Sequence, residues 1–136
     1  MKTAYIGMSC DPPHEGHLKL IERVENLGFE PIIVLNSDSF IRKYKNREPF
    51  WNEDKRWGWF EFMGYEVEFV DKDRQRLTIE YHNPDVIVVG TDWMKPEILP
   101  QLGIDEDFLL ANNIGMLFLT RTPGISSTEL RNKDER

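Results

Sequence analysis

Short apolar runs alternate with amphipathic segments along the chain. The runs predict five β-strands, at residues 3–8, 31–36, 65–70, 84–90 and 115–120. Between them, Leu20, Val24 and Leu27 recur at the spacing of one helical face, and Gly28 is placed to end that helix. Four further helices are predicted, at 52–64, 73–82, 105–113 and 126–133. The first three have apolar residues at helical spacing, and the fourth has the residues typical of a helix start.

Strands that alternate with helices predict an α/β fold, with one parallel, doubly wound sheet and helices on both of its faces. The chain has 136 residues, which favours a single domain. We place this domain at residues 1–131 and a charged tail at 132–136. Ligands of such sheets bind beyond the carboxyl ends of the strands, where strand order reverses. The segment Asp11–His17 follows the first predicted strand and therefore lies in the expected place.

Composition narrows the classes of function. A net charge of −7 argues against general binding to nucleic acid or to an acidic membrane. No apolar run is long enough to predict a membrane span, and the first residues lack the pattern of a signal peptide. Cys10 is the single cysteine, so no internal disulfide is possible. We therefore expect a cytoplasmic protein. An anionic substrate would need a local basic patch, helped by a cation.

Two histidines mark the start of the first helix. His14 and His17 flank Gly16, at a helix N-terminus whose backbone N–H groups and dipole already favour an anion. The imidazoles add hydrogen-bond donors, and Gly16 leaves room for a bulky group, so the segment can hold a phosphoryl group. Two alternatives stay open: solvated or capping histidines, and a zinc site, which would lack a convincing third ligand. We expect replacement of either histidine to reduce turnover rather than stability.

A second anion cradle is predicted after the fifth strand, in "RTPGISSTELR" at residues 121–131. Pro123 and Gly124 form a turn, and hydroxyls and backbone N–H groups then meet at a new helix start. The alternative is an ordinary N-cap run with a solvated arginine. Two cradles, each after a strand, favour phosphate chemistry.

Other side chains are open to two interpretations. Lys43, Lys45 and Arg47 form a basic run on a predicted loop, which favours phosphate contact over a merely solvated loop in so acidic a chain. We expect four aromatic side chains to pack in the core or at an interface, namely Trp57, Trp59, Phe60 and Phe62. Met8, Met63 and Met116 are expected to fill the core. His82 is expected in a loop.

Several of these segments resemble a known superfamily. "DPPHEGH" resembles the HxGH motif of the nucleotidyltransferases, and "ISSTELR" resembles their ISSTxxR motif. "NSDSFIRKYK" and "VVGTDW" are also similar to segments of that superfamily. "RTPGISST" most resembles the signature of cytidylyltransferases, and the compact glycerol-3-phosphate cytidylyltransferases match this chain in length and layout. The HxGH segment and the ISSTxxR string are also similar to nicotinamide-nucleotide adenylyltransferases, which are usually longer.

The resemblance implies a Rossmann-like fold and a nucleotidyl transfer to a small phosphorylated acceptor, such as glycerol 3-phosphate, with release of pyrophosphate. The resemblance favours CMP, donated by CTP, as the group that is transferred. The alternatives are an adenylyltransferase that uses ATP with nicotinamide mononucleotide or a sugar phosphate, and a nucleotide-binding regulator without turnover. The resemblance further implies Mg²⁺ bound mainly through the triphosphate, and a homodimer. The sequence has no dense cluster of carboxylates that would indicate a metal site built by the protein.

The resemblance also implies roles for individual residues. The side chains expected to act on the transferring group and on the substrate phosphates are His14, His17, Lys43 and Lys45. Arg56 is expected at the acceptor. Asp92 and Trp93 are expected near the base and ribose, with a helix cap and a core residue as their alternatives. The whole expected nucleotide pocket comprises Ser9, Cys10, Asp11, Gly16, Gly90, Asp92, Trp93, Arg121, Thr122, Ile125, Ser126, Ser127, Thr128 and Arg131.

The chain departs from the family pattern in two places. "GMSCD" stands where the family has G-T-F-D, so Met8 and Cys10 could reshape the pocket or expose a thiol. Between the third and fourth strands, the tryptophan of glycerol-3-phosphate enzymes is absent, and Arg74 and Arg76 are present instead. The second departure bears on the acceptor more than on the reaction type.

Overall fold

Five parallel strands form one sheet in the computed structural model, which describes residues 1–90 and 98–120. The strand order is β3-β2-β1-β4-β5, so the order reverses between β1 and β4. The predicted doubly wound parallel sheet is therefore confirmed. The strands are β1 (Lys2–Met8), β2 (Phe29–Asn36), β3 (Val67–Val70), β4 (Val86–Gly90) and β5 (Gly115–Leu119).

Helices connect the strands, and most begin at a residue that accepts a hydrogen bond from the first turn. Side chains of Ser37, Asn52 and Asp105 each accept such a bond, which satisfies a backbone N–H that would otherwise lack a partner. The helices are α1 (Glu15–Asn26), α2 (Asp38–Lys45), α3 (Glu53–Phe62), α4 (Gln75–His82, after a 3₁₀ turn at Lys72–Arg74), α5 (Ile98–Gln101) and α6 (Glu106–Ala111).

Apolar side chains cover both faces of the sheet. Alternate residues of β1 point to opposite sides, so Ala4 and Ile6 pack in one apolar cluster and Tyr5 in the other. Helices α1 and α3 contribute to the first cluster, and α4 and α6 to the second. The predicted cover of helices on both faces is therefore confirmed, and the open carboxyl edge of the sheet is left for a site.

The structure corrects several local predictions. Lys43 and Lys45 lie in the last turn of α2, not in a loop, because Ser37 caps a helix that buries Phe40 and Ile41. The prediction that His82 lies in a loop is wrong, because His82 is the last residue of α4 and its imidazole contacts the Glu68 carboxylate.

The aromatic residues that were expected in the core or at an interface fall into two groups, one buried and one exposed. Phe60 is buried and Trp59 packs beside it, whereas Phe62 is 86% exposed and Trp57 is 47% exposed. Met63 is exposed as well, so it does not fill the core.

The predicted homodimer stays a prediction. The predicted helix at 126–133 lies outside the described residues, and within residues 1–90 and 98–120 no helix is long and apolar enough to cross a membrane.

Candidate active site

A cavity of about 700 Å³ opens where strand order reverses. Its wall includes the carboxyl ends of β1 and β4 and the start of α1, as the doubly wound fold predicts. Eight residues of the predicted site lie on this wall, namely Ser9, Cys10, Asp11, His14, Gly16, His17, Lys45 and Gly90. Nine others lie outside the described residues, namely Asp92, Trp93, Arg121, Thr122, Ile125, Ser126, Ser127, Thr128 and Arg131.

His14 and His17 cap the helix that carries them. The Nδ1 atom of His14 accepts a hydrogen bond from the backbone N–H of Gly16 at 3.0 Å. The Nδ1 atom of His17 accepts one from the backbone N–H of His14 at 3.1 Å. This reciprocal pair is a capping box made of two imidazoles, whose rings stack with centroids 3.9 Å apart. The capping alternative is therefore confirmed, and it is compatible with a role toward a ligand.

The two caps also determine where the imidazole protons sit. A backbone N–H can only donate, so each Nδ1 carries a lone pair and the proton of each neutral ring is on Nε2. A neutral histidine that binds zinc through Nε2 carries its proton on Nδ1, which would break the cap. Within the described residues there is also no group of three or more histidine, cysteine or carboxylate side chains that could hold a metal ion. The geometry therefore favours two N–H donors over a zinc site.

Burial keeps His17 neutral. Burial, together with a smaller effect of the neighbouring His14, lowers the pKa of His17 to about 3. Across the range from about pH 5 to pH 8, where histidines usually titrate, His17 stays an uncharged donor.

The lowered pKa of His17 predicts a loss of stability in mild acid. The unfolded chain, where the histidine pKa is about 6.5, binds a proton that the folded chain does not, so the stability contribution is complete above that pH and falls toward the folded pKa. We expect the free energy of unfolding to drop between pH 7 and pH 5, by at most about 1.4 kcal/mol per pH unit from this group. Urea unfolding of wild type and His17→Gln at both pH values tests this, because the variant should show a smaller drop.

Asp11 ties a distant segment to the edge of the site. Its buried carboxylate accepts hydrogen bonds from the N–H groups of Phe50, at 3.0 Å, and Trp51, at 2.6 Å, and from Nη1 of Arg47, at 2.8 Å. Burial by itself would raise the pKa of Asp11, but the two backbone bonds and the Arg47 charge hold it below its ordinary value. Asp11 is therefore an ionised anchor for the segment after α2, a role that its position in the motif did not reveal.

Arg56 joins two strand ends from behind the cavity. The guanidinium is fully buried and absent from the cavity wall. Its Nη1 donates to the carbonyl oxygens of Ser9, at 2.8 Å, and Asn36, at 2.6 Å, and its Nη2 donates to Asp38 at 2.9 Å. In this structure Arg56 holds the ends of β1 and β2 in place, and its expected contact with an acceptor stays a prediction.

Cys10 does not present a reactive thiol. Its side chain is buried, its backbone has a φ of 51°, and its Sγ lies 3.8 Å from Sδ of Met8. Burial raises the pKa of Cys10, which keeps the thiol protonated. The suggestion that the altered motif exposes a thiol is therefore wrong. Met8 and Cys10 both line the cavity, so the altered motif contributes to the shape of its wall.

Some basic side chains near the cavity line its wall, and others close to them in the sequence do not. Lys45 reaches the wall, whereas Lys43, two residues earlier on α2, is exposed and does not. Lys72 and Arg76 also lie on the wall, and Arg74 between them does not. The sequence analysis named Arg76 and missed Lys72. The sequence could have indicated Lys72, because it lies just after a predicted strand and four residues before Arg76.

Comparisons with known proteins agree with this geometry. A family model described as cytidylyltransferase-like matches residues 5–133. Glycerol-3-phosphate cytidylyltransferase of Bacillus subtilis (strain 168) is 28% identical over 134 residues, which cover 96% of this chain and 95% of that protein. The bifunctional protein HldE of Marinomonas sp. (strain MWYL1) is 28% identical over 97% of this chain and 27% of its own length.

A further relative matches a smaller part of the chain, and one solved structure shares its fold. FAD synthase of Aciduliprofundum boonei is 34% identical over 85 residues, which cover 58% of this chain and 54% of that protein. A lipopolysaccharide core biosynthesis protein from Thermoplasma volcanium GSS1 superposes with a TM-score of 0.70 at 17% identity, over 90% of this chain and 99% of its own. At that identity the superposition shows a shared fold.

Proposed function

This chain belongs to the cytidylyltransferase-like family and is a nucleotidyltransferase, and we propose that it transfers CMP from CTP to a small phosphorylated acceptor such as glycerol 3-phosphate. The observation that carries the proposal is the pair of stacked imidazoles, each fixed as a neutral Nε2–H donor on the wall of the cavity. The CTP preference is supported by the family match and by "RTPGISST".

The proposed reaction needs no protein nucleophile. An oxygen of the acceptor phosphate attacks the α-phosphorus of CTP, and the bond to the bridging oxygen of the β-phosphate breaks, so pyrophosphate leaves with that electron pair. A phosphate monoester is largely dianionic at neutral pH, so no base has to remove a proton. Charge builds on the oxygens of the transferring group, and the Nε2–H groups of His14 and His17 donate to them at the start of α1.

We propose that Mg²⁺ enters as part of the substrate, bound to the triphosphate. Asp11 is the carboxylate beside the histidines, and its oxygens already accept from Arg47, Phe50 and Trp51. Within the part of the chain that the structure describes, no cluster of carboxylates is available to hold the ion. The charge that Mg²⁺ offsets is therefore that of the nucleotide phosphates.

Lys45 and Lys43 form a matched pair for testing the phosphate contact. Loss of a charge-assisted hydrogen bond costs about 1.5–3 kcal/mol, so we expect Lys45→Ala to reduce kcat/KM by about ten- to a hundredfold. Lys43→Ala, on the same helix but away from the cavity, should change it less than threefold. Steady-state kinetics with both substrates varied measures the difference, and equal losses in the two variants would contradict the assignment of Lys45.

Nucleotide choice is tested by ligand-induced stabilisation. The melting temperature is measured with CTP, ATP, GTP and UTP in turn, each with Mg²⁺, and pyrophosphate release is then measured with glycerol 3-phosphate, a sugar phosphate and nicotinamide mononucleotide. A ligand at a hundred times its Kd adds about 2.7 kcal/mol to the free energy of unfolding. We expect stabilisation and turnover with CTP.

Two other outcomes identify the alternatives. Stabilisation and turnover with ATP alone would mean an adenylyltransferase, which the ISSTELR string supports. Tight binding of nucleotide without pyrophosphate release, across all the acceptors, would mean a binding module.

A further inference from the structure

A buried tyrosine on the cavity wall has a hydroxyl that no described residue satisfies. Tyr5 lies in β1, is 1% exposed and lines the cavity. Its hydroxyl forms no hydrogen bond with any residue in the ranges 1–90 and 98–120. In those ranges the side-chain nitrogen and oxygen atoms that are fully enclosed without a partner are Nη2 of Arg47 and Nε of Arg56. The Tyr5 hydroxyl is not enclosed in this way, so it borders the open space of the cavity.

Gly7 indicates where the hydroxyl points. Residues 5 and 7 of a strand lie on the same face, and Gly7 is exposed although β1 is the central strand of the sheet. A Cβ at Gly7 would lie 3.4 Å from Cε1 of Tyr5, the ring carbon next to the one that bears the hydroxyl. The ring therefore leans along β1 toward its carboxyl end. The hydroxyl reaches the level of Gly7, where the missing side chain leaves the strand open to a ligand in the cavity.

The surroundings of the hydroxyl suit an uncharged polar group. Ile87 is the neighbour of Tyr5 on β4, Val34 is the neighbour of Gly7 on β2, and both belong to the apolar cluster that contains Tyr5. Burial, together with a smaller effect of the Glu68 carboxylate, raises the pKa of the Tyr5 phenol, so the hydroxyl keeps its proton at neutral pH. A phosphate would lose its water among these apolar side chains and would face the Glu68 charge. A hydroxyl or carbonyl group needs only the hydrogen bond.

From this placement we infer a residue that selects the substrate. We propose that Tyr5 is a specificity-determining residue, whose hydroxyl forms a hydrogen bond with an uncharged hydroxyl or carbonyl group of a substrate that lies against Gly7. The inference rests on the proposed function, because the substrate is one of the two that the transfer reaction uses. Either the nucleotide or the acceptor can supply such a group, and the kinetics distinguish the two sources.

Tyr5→Phe tests the hydrogen bond because it removes the hydroxyl and keeps the ring. We expect the KM of one substrate, CTP or glycerol 3-phosphate, to rise about three- to tenfold, the value of one hydrogen bond between uncharged groups, while the other KM stays within twofold of wild type. The melting temperature of the free protein should not fall, because no contact with a described residue is lost. Two unchanged KM values, with or without a lower melting temperature, would overturn the proposal.

Two further variants define the site. Tyr65→Phe is the matched control, because the Tyr65 hydroxyl donates to Glu25 at 2.8 Å and Tyr65 is absent from the cavity wall, so both KM values should stay within twofold of wild type. Gly7→Val keeps the Tyr5 hydroxyl but fills the space beside it, and it should raise the same KM as Tyr5→Phe. A rise in the other KM alone would mean that the two residues do not share a site. If Gly7→Val did not fold, Tyr5→Phe would decide alone.

Binding measurements separate this inference from the proposed function. The rise in melting temperature caused by CTP with Mg²⁺, by ATP with Mg²⁺ and by glycerol 3-phosphate is measured for wild type, Tyr5→Phe and Tyr65→Phe. At least one of the three rises should be smaller in Tyr5→Phe than in the other two proteins. That result supports the hydrogen bond even if CTP releases no pyrophosphate, in which case the proposed function alone fails. If no rise differs between wild type and Tyr5→Phe, the inference is overturned, and turnover of CTP by wild type would leave the proposed function standing.

Discussion

His14→Asn and His17→Gln are each expected to lower turnover about a hundredfold, the usual cost of losing one donor to a transition state. Both replacements keep the caps of α1. Asn at the N-cap accepts from the backbone as His14 does, and Gln at the third helical position reaches back as His17 does. The donor at Nε2 is lost in each variant, whereas the helix start is retained. Turnover is measured by pyrophosphate release and stability by thermal unfolding.

The alanine variants provide the contrast. The sequence alone predicts unchanged stability for His14→Ala and His17→Ala, but the capping box revises that expectation. Loss of an N-cap costs about 1 kcal/mol, so His14→Ala should lose both turnover and stability. If His14→Asn and His17→Gln kept full turnover, the histidines would serve only to cap the helix.

Arg56→Ala is expected to lower the free energy of unfolding by about 3 kcal/mol. Removing one partner of a buried ion pair typically costs about 3–5 kcal/mol, and Asp38 retains 19% exposure, which favours the lower end. The carbonyl oxygens of Ser9 and Asn36 also lose their donor. Urea denaturation measures the loss. Lys55→Ala, at the preceding exposed position of α3, should change stability by less than about 1 kcal/mol.

A double-mutant cycle separates the ion pair from the rest of the side chain. Combined with Asp38→Asn, Arg56→Ala should cost less than the sum of the single changes, because no unpaired buried charge remains. Arg56→Lys distinguishes positioning from direct contact: a fall in stability with an unchanged acceptor KM fits the buried clamp. A raised acceptor KM at unchanged stability would instead support the predicted acceptor contact.

The fold was predictable because its signal is local. The run "PDVIVVG" is apolar at successive positions, as a strand buried on both faces requires, and the structure places β4 there. The position of the site followed from the fold, since ligands of such sheets bind at the reversal of strand order. The histidines stood out for the same reason, because they directly follow the first strand.

The roles of Arg56 and Asp11 depend on contacts between residues far apart in the chain. In the sequence Arg56 is one of several charged residues on a helix that also carries aromatic residues. Nothing in the neighbouring residues indicates that its guanidinium turns inward and donates to the ends of β1 and β2. Asp11 accepts from Phe50 and Trp51, 39 and 40 positions away. Periodicity describes one element at a time and therefore contains no information on such pairs.

The position of β1 in the sheet has a consequence for the order in which the chain assembles. β1 pairs with β2 through residues 27 positions apart, as in Lys2 with Phe29, but with β4 through residues 82 positions apart, as in Ala4 with Val86. Closing the longer loop costs about 1 kcal/mol more entropy, and ribosomes release the N-terminal half first. We expect amide protection between β1 and β2 to precede protection between β1 and β4 in pulse-labelled exchange. The cavity lies on the seam between β1 and β4, so we expect the binding site to form only after β1 has paired with β4.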